Sequence, residues 1–164
     1  MIHAVKVKRS ALRMTDEEID AFLASERWVR VATAAPDREP HVSPVGYVVL
    51  DGRLYFDAIK RARRTRHVKS GSRVVVCVDA GVGEGEGYDQ RKGVVVYGIC
   101  RVMSDDETEL IERVRPAYAQ ALFGDPSLDF RRRTHVWFEV EPYRWISWDF
   151  GKIPAGQDRF AKRP

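Results

Sequence analysis

The sequence lacks several features that would assign it to a familiar functional class. Only two cysteines occur among its 164 residues, Cys77 and Cys100, and they do not have CxxC spacing. This scarcity argues against a disulfide-rich secreted scaffold and favours reduced thiols. The longest uncharged apolar runs, such as residues 42–50, are too short to span a bilayer, and the first residues do not resemble a signal peptide. We therefore expect a cytoplasmic protein that has no membrane partner.

Signatures of nucleophilic and metal catalysis are also missing. The four histidines are scattered along the chain, and neither GxSxG nor HExxH occurs. Alternate glycines between residues 81 and 87 do not form a dinucleotide fingerprint, because no helix is predicted after them. We assign no catalytic side chain and no metal site, and we interpret His41 and His135 as ordinary strand residues.

The sequence does have the composition of one folded domain. Hydrophobic residues make up 44% of the chain and charged residues 32%, both near ordinary globular values. We predict a single domain over residues 1–164, with an N-terminal extension at 1–14 and an irregular tail at 151–164.

Positive charge is concentrated in one place. The net charge is +4, yet residues 60–73, the basic segment, contain seven cations and no acid, so the rest of the chain is slightly acidic. Such a cluster favours one localised anionic ligand, and the absence of aromatic residues within it argues against nucleic acid. The cations are Lys60, Arg61, Arg63, Arg64, Arg66, Lys69 and Arg73.

Hydrophobic periodicity predicts a mainly β fold. A capping box at Thr15 begins a helix over residues 15–26, and a second one at Ser104 begins a helix that is kinked or restarted at Pro116. A short helix or turn covers residues 60–69. Asp51-Gly52 is a preferred hairpin turn. The predicted strands are 28–33, 41–50, 53–57, 73–79, 92–103, 134–140 and 143–150, the last two separated at Pro142.

These strands favour an antiparallel sheet that curls into a small barrel, because too few helices are present for parallel βαβ units. Pro44 removes a backbone donor, so its strand lies at an edge, is bulged, or faces something other than a strand. Such a backbone can contact the edge of a planar heterocycle. The arginines between residues 60 and 67 suit a phosphate mono- or diester, although a solvated basic helix is the alternative.

The order of these features resembles the flavin-binding split-barrel superfamily, typified by pyridoxamine 5′-phosphate oxidase and the deazaflavin-dependent reductases. Residues 30–33, 40–45, 51–56 and 72–76 carry the resemblance, and Ser147-Trp148-Asp149 is similar to the tail of the deazaflavin-dependent, actinobacterial-type branch. In such relatives a Lys or Arg three residues before an Asn, followed by a Pro-Arg-Val strand opening, marks the cofactor phosphate. Arg64, His67 and residues 72–74 stand at these positions, with His in place of Asn and Ser in place of Pro.

The resemblance implies a six- to seven-stranded antiparallel split barrel of Greek-key connectivity with flanking helices. It further implies an oxidoreductase in which FMN or an 8-hydroxy-5-deazaflavin exchanges hydride with a small unsaturated or aromatic substrate. Arg63 and Arg66 extend the cationic patch toward a longer anionic tail, which narrowly favours the deazaflavin. The implied cofactor contacts are Ser43, Pro44, Val45 and Gly46 along the ring, Ala58 beside the ribityl chain, Lys60, Arg61, Arg64 and His67 at the phosphate, and Trp148.

The resemblance also implies a homodimer with two cofactors at the subunit interface, each covered in part by the partner's C-terminal strand. A predicted hairpin rich in tryptophan fits this arrangement, with Trp137 in the core and Trp148 at the interface. Residues 151–156 do not match the segment that binds the substrate phosphate in true pyridoxamine phosphate oxidases, so we do not expect that activity.

Two other functions remain open at this point. A non-catalytic barrel could bind RNA or single-stranded DNA, with an affinity that falls steeply with salt. A split barrel that stores its cofactor or senses redox state would have the same sequence features as an enzyme.

Overall fold

A computed structural model describes residues 9–34, 39–70, 73–83, 85–129 and 133–153. The predicted turn at Pro36-Asp37, Ser72, most of the predicted tail and the first eight residues lie outside this part of the chain.

The described residues form seven strands and three α-helices. The strands are β1 (Trp28–Ala34), β2 (Pro40–Gly46), β3 (Val48–Leu50), β4 (Arg53–Ile59), β5 (Arg73–Ala80), β6 (Lys92–Val102) and β7 (His135–Asp149). The helices are α1 (Asp16–Ser25), α2 (Arg63–Ser70) and α3 (Thr108–Phe123).

The seven strands form one antiparallel sheet in the order β2-β1-β5-β6-β7-β4-β3. Its two edge strands, β2 and β3, follow one another in the chain and are joined through the single residue Tyr47. The sheet must therefore curl until its edges approach each other, which leaves β2 and β4 facing each other without a ladder between them. This arrangement confirms the predicted antiparallel split barrel.

The barrel core is sealed by α1. Thr15 accepts a hydrogen bond from the Glu18 amide at 3.2 Å, and Glu18 accepts one from the Thr15 amide at 2.7 Å, so the predicted capping box is confirmed. Phe22 and Leu23 on this helix are buried in the core. The Tyr47 hydroxyl donates to the Leu23 carbonyl at 2.7 Å and fixes the helix to the strand crossover.

Tyr47 also divides the strand that we predicted over residues 41–50. The structure has two strands there, β2 and β3, because the Tyr47 ring turns into the core and the chain crosses between the sheet edges at this residue. β2 is an edge strand, and the missing donor of Pro44 therefore interrupts no interior ladder.

The helix α3 packs on the outer side of β3, β4 and β7 through Val114 and Tyr118, and runs through Pro116 as one helix. It begins at Thr108, so the prediction of a capping box at Ser104 was wrong. Glu107 does accept a hydrogen bond from the Ser104 amide at 2.7 Å, but its carboxylate is also bound by Arg101 through two contacts of 2.7 Å. Residues 104–107 therefore form a turn that leads into the helix.

The two predicted C-terminal strands are one strand, β7, which continues through Pro142. Its register against β6 shifts at Tyr97 and Gly98, and Pro142 lies opposite Gly98 at this irregularity. β4 pairs only with residues 135–140, so from Glu141 onward no described strand pairs with this side of β7, which tolerates a residue without an amide donor. The predicted tryptophan hairpin is therefore wrong, and the tryptophans are spread along a single strand.

Among the described helices, none has the length and apolar character needed to cross a membrane.

Candidate functional site

The helix α2 divides the basic segment between two faces. Thr65, His67 and Val68 are buried against the barrel end, where the Thr65 hydroxyl donates to the Ile59 carbonyl at 2.9 Å. Most of the cations point outward and are exposed, namely Lys60, Arg61, Arg63, Arg66 and Lys69. Arg64 is the arginine that turns toward the barrel, so the helix presents one cation inward and leaves the others in solvent.

Arg64 has an unusual environment. Its Nε and Nη1 atoms are buried and have no hydrogen-bond partner among the residues that the structure describes. Burial lowers the pKa of its guanidinium, and nearby Asp57 partly offsets this. Leaving charged donors buried without acceptors is costly, and the described part of the chain supplies no acceptor to these two nitrogens.

A second unsatisfied group lies on β2. Ser43 Oγ is buried and also lacks a hydrogen-bond partner in the described part of the chain. Side chains on a strand alternate between its faces, so His41 and Ser43 lie on the same side of β2, roughly 7 Å apart along the strand. The hydroxyl of Ser43 is thus a second unsatisfied polar group, on the same face of β2 as His41.

Three polar side chains from three elements meet beside Arg64. Thr33 on β1 and His41 on β2 are directly opposite each other in the ladder. Thr33 Oγ1 and His67 Nδ1 of α2 share a hydrogen bond of 3.0 Å, and both residues are buried. The His41 and His67 rings are nearly perpendicular, with centroids 6.0 Å apart. We call Thr33, His41, Ser43, Arg64 and His67 the barrel-end cluster.

The electrostatic field in this cluster is positive. Burial lowers the pKa of His41, and Arg63, Arg64 and His67 lower it further, while Glu39 acts in the opposite direction. Glu39 is the ion-pair partner of Arg63 at 2.9 Å. The cluster thus combines imidazole, hydroxyl and a guanidinium with two nitrogens that lack acceptors in the described part of the chain, which together suit a compact multivalent anion such as a phosphate group.

Asp57 occupies the outer side of β4 and limits the extent of this positive field. It accepts a hydrogen bond from the Tyr118 hydroxyl of α3 at 2.9 Å, and His135 Nε2 lies 3.9 Å from its other oxygen. This carboxylate is therefore held by neighbouring elements, and it is not a direct partner of Arg64.

The other predicted contacts of the cofactor ring are not gathered in one pocket. Val45 is buried in the core, whereas Pro44 is exposed on the opposite face of β2. A Cβ at Gly46 would lie 2.0 Å from Leu122 Cδ2 of α3, so this glycine permits close packing of the helix. Ala58 is also a core residue.

The side chains of Lys60 and Arg61 are exposed, whereas their backbone groups form hydrogen bonds within the fold. The Lys60 amide donates to the Thr134 carbonyl at 2.8 Å, and the Arg61 carbonyl accepts from Arg66 at 3.3 Å. Of the four predicted phosphate contacts, Arg64 and His67 face the barrel end, whereas Lys60 and Arg61 do not.

Trp148 lies far from the cluster within its own chain. It is opposite Gly93 near the end of β7, and its indole occupies the space where a Cβ on that glycine would lie. The basic segment adjoins the start of β7, through Lys60 and Thr134. Because a strand advances about 3.3 Å per residue, Trp148 is up to roughly 40 Å away along β7.

Trp148 belongs to an apolar sheet face that no helix covers in the described part of the chain. Ladder pairing and alternation place apolar side chains from four strands, β2, β5, β6 and β7, on this face, which includes Ile99 and Ile146, 41% and 47% exposed. We call it the outer apolar face. Its members are Val42, Val75, Cys77, Val95, Tyr97, Ile99, Ile146 and Trp148.

Sequence reasoning missed Thr33 and His41 as members of the site. The available signal was the alternation of the two strands on either side of the predicted Pro36-Asp37 turn, and the ladder places residues 33 and 41 opposite each other. We had instead interpreted His41 as an ordinary strand residue.

Comparison with known proteins gives a family match. The sequence profile of the family described as pyridoxamine 5'-phosphate oxidase matches residues 15–149, which is most of the chain. No match was found among curated proteins.

Solved structures share the fold at low sequence identity. A conserved hypothetical protein from Mycobacterium tuberculosis, Rv2991, is 24% identical, with 90% of this chain and 92% of that chain covered and a TM-score of 0.76. An FAD-binding protein from Mesorhizobium loti is 24% identical over 82% and 91% of the two chains, with a TM-score of 0.63. HutZ, the heme storage protein from Vibrio cholerae, is 17% identical over 83% and 96%, with a TM-score of 0.66.

Proposed function

The chain belongs to the pyridoxamine 5'-phosphate oxidase family, and on this premise we propose that it is an oxidoreductase that binds FMN or a deazaflavin by its phosphate. The proposed reaction is hydride transfer to or from a small unsaturated or aromatic substrate. We do not propose oxidation of pyridoxamine phosphate itself.

The observation that carries this proposal is the pair of unsatisfied Arg64 nitrogens. A phosphate group provides acceptor oxygens in the planar arrangement that a guanidinium fork matches, and it would restore the hydrogen bonds that burial removes. Ser43 Oγ is a further donor of the same cluster. The residues that are present therefore fit the phosphate end of a flavin-type cofactor.

The protein would contribute mainly binding, orientation and exclusion of water. Arg64 and Ser43 would hold the phosphate, and the bond between Thr33 and His67 would keep the His67 ring fixed beside it. The flavin or deazaflavin supplies the hydride chemistry when bound, which explains why the reaction needs no nucleophilic side chain.

We propose a homodimer as the active form. Large exposed apolar patches on folded proteins commonly mark interaction sites, and the outer apolar face is such a patch. Trp148 lies on this face and is too distant to reach Arg64 of its own chain. In a dimer formed through the outer apolar face, the Trp148 side chain of one subunit would cover the cofactor held by the other.

Absorbance titration of the purified protein tests the proposal. FMN and the deazaflavin should each be added separately, with hemin as a third ligand because one structural relative is a heme storage protein. A perturbed flavin or deazaflavin spectrum that saturates near one cofactor per subunit is expected. A hemin spectrum that saturates while neither flavin responds would contradict the proposal.

Arg66 distinguishes the two cofactors. It is exposed on the outer side of α2 and can contact only a cofactor that extends beyond the phosphate. Arg66→Ala should leave the affinity for FMN unchanged and weaken that for the longer anionic deazaflavin a few-fold, in keeping with an exposed ion pair. Steeply salt-dependent binding of an oligonucleotide, with no response to any flavin, would instead favour the nucleic-acid alternative.

A further inference from the structure

In the proposed function, the two histidines of the barrel-end cluster do no more than lie beside the phosphate. His67 is buried, and its Nδ1 is already engaged by Thr33 at 3.0 Å. His41 is partly buried, lies opposite Thr33 in the ladder, and has its ring centroid 6.0 Å from that of His67. Two imidazoles are thus fixed next to a guanidinium whose Nε and Nη1 are buried without acceptors.

We propose that His41 and His67 are anion ligands alongside Arg64, and that the site binds a dianionic phosphate monoester together with one proton taken from solvent. The inference rests on the proposed function in that it concerns the same phosphate site. The new points are that the site gains positive charge, as one proton, when its ligand binds, and that His41 is one of the residues that recognise the phosphate.

The charges facing His41 give the direction of the effect. In the free protein, Arg63, Arg64 and His67 of α2 face this residue, and Glu39, which precedes β2, is the acidic group near it. Together with burial, these cations lower the pKa of His41 and keep it neutral near pH 7. A phosphate dianion beside Arg64 reverses the local field, so the protonated imidazole becomes favourable and can donate to a phosphate oxygen.

The proton balance is simple. A buffer molecule loses one proton, which binds to an imidazole nitrogen as the phosphate enters, and no other bond forms or breaks. We expect about one proton per phosphate, since two protonated rings so close together would repel each other. The ligand cannot account for this uptake, because a phosphomonoester whose second pKa is near 6 releases protons, if anything, when its dianion is selected near pH 7.

Calorimetric titration with FMN near pH 7, in two phosphate-free buffers of different ionisation enthalpy, measures the proton uptake directly. We expect net uptake of about one proton, and an affinity for FMN that falls with rising pH by up to about tenfold per pH unit above pH 7. Riboflavin, which lacks the phosphate, should bind without proton uptake. Equal, zero uptake for FMN and riboflavin would overturn the proposal.

Variants locate the proton. His41→Asn should reduce the uptake by at least about half and flatten the pH dependence, His67→Asn should weaken phosphate binding, and His135→Gln, outside the cluster, should leave both the uptake and the affinity unchanged. His41→Asn is the safer replacement because its ring is less buried than that of His67, and thermal unfolding checks both. Unchanged uptake in a folded His41→Asn protein would remove His41 from the proposal.

Inorganic phosphate separates this inference from the proposed function. The ring C–H resonances of His41 should titrate at higher pH in the presence of phosphate than in chloride at the same ionic strength. If FMN fails to bind but these resonances respond, the cofactor proposal fails and the proton-coupled anion site stands. If neither phosphate nor FMN moves them, the proton-coupled anion site is wrong.

Discussion

At the residue scale, Arg64 stands out because part of its guanidinium is buried without a hydrogen-bond acceptor among the residues that the structure describes. Exposed arginines elsewhere in the chain have partners in solvent or on the surface, such as Glu39 for Arg63. Arg64 instead has two buried nitrogens without acceptors. A natural protein tolerates such a cost where a ligand offsets it, which is why this residue carries the binding argument.

Replacing Arg64 by alanine should therefore weaken FMN binding. Loss of a charge-assisted contact costs roughly 1.5 to 3 kcal/mol, which corresponds to about a ten- to hundredfold higher dissociation constant. Arg64→Lys keeps the charge without the planar fork and should give an intermediate loss. Fluorescence titration of FMN into each variant measures the effect.

Lys69→Ala is the matched control for this series. Lys69 lies on the same helix as Arg64 but is exposed, so its removal should change the binding free energy by less than about half a kcal/mol. Equal affinities for the wild type, Arg64→Ala and Lys69→Ala would show that α2 is merely a solvated basic surface.

The site was only partly predictable from the sequence, for a physical reason. Arg64 and His67 belong to one short segment whose spacing is visible in the sequence. Thr33 and His41 join them only through strand register and the docking of α2 against the barrel end, both of which depend on contacts between residues distant in the chain. Trp148 belongs to a separate face of the sheet, away from this cluster.

At the scale of secondary-structure elements, two similar capping sequences behaved differently. The Thr15 box begins α1 because both of its bonds form, and Glu18 keeps them although Lys152 approaches the same carboxylate at 2.5 Å. Glu107 in the second box accepts from the Ser104 amide and from Arg101 of β6, but α3 begins after Glu107 without a side-chain cap. Local sequence thus predicted the first helix start correctly, whereas the second box forms a turn before its helix.

Arg101 also joins a buried network that connects β4, β6 and the turn before α3. Glu139 on β7 is 3% exposed and accepts from Arg53 at 2.5 Å and from the Tyr55 hydroxyl at 3.2 Å, and Arg101 lies against its second oxygen. Burial by itself raises the pKa of Glu139, but the ion pairs with Arg53 and Arg101 outweigh it, so the net shift is downward. The carboxylate is therefore charged and depends on both arginines.

Arg53→Ala should destabilise the fold by about 1 to 3 kcal/mol, because it leaves a buried carboxylate incompletely compensated. Urea unfolding at pH 7 measures the loss. Arg113→Ala is the control, since Arg113 pairs with Asp51 at 2.6 Å on the exposed surface and such pairs contribute less than about 1 kcal/mol. Equal losses in the two variants would show that the buried network has no special role in stability.

At the scale of the whole molecule, the outer apolar face should hold two subunits together. Ile146→Glu should convert the dimer into monomers at micromolar concentration, because the twofold symmetry of a dimer places two unpaired carboxylates in the interface. Val82→Glu, at a position that is 61% exposed but outside this face, should remain dimeric. Sedimentation equilibrium distinguishes the two, and a dimeric Ile146→Glu protein would move the interface elsewhere.

A mixture of two defective variants tests whether both chains build each site. Arg64→Ala lacks the phosphate contact of its own chain, and Trp148→Ala lacks the aromatic cover that it offers to the partner, so each homodimer should bind FMN weakly. After random exchange of subunits, half of the dimers are heterodimers, and each has one doubly altered site and one unaltered site. About a quarter of all sites should therefore regain the wild-type dissociation constant, as twofold symmetry requires. Titration of the mixture before and after exchange measures this fraction. If Arg64 and Trp148 instead act on the cofactor within one chain, no heterodimer contains an unaltered site and exchange restores nothing.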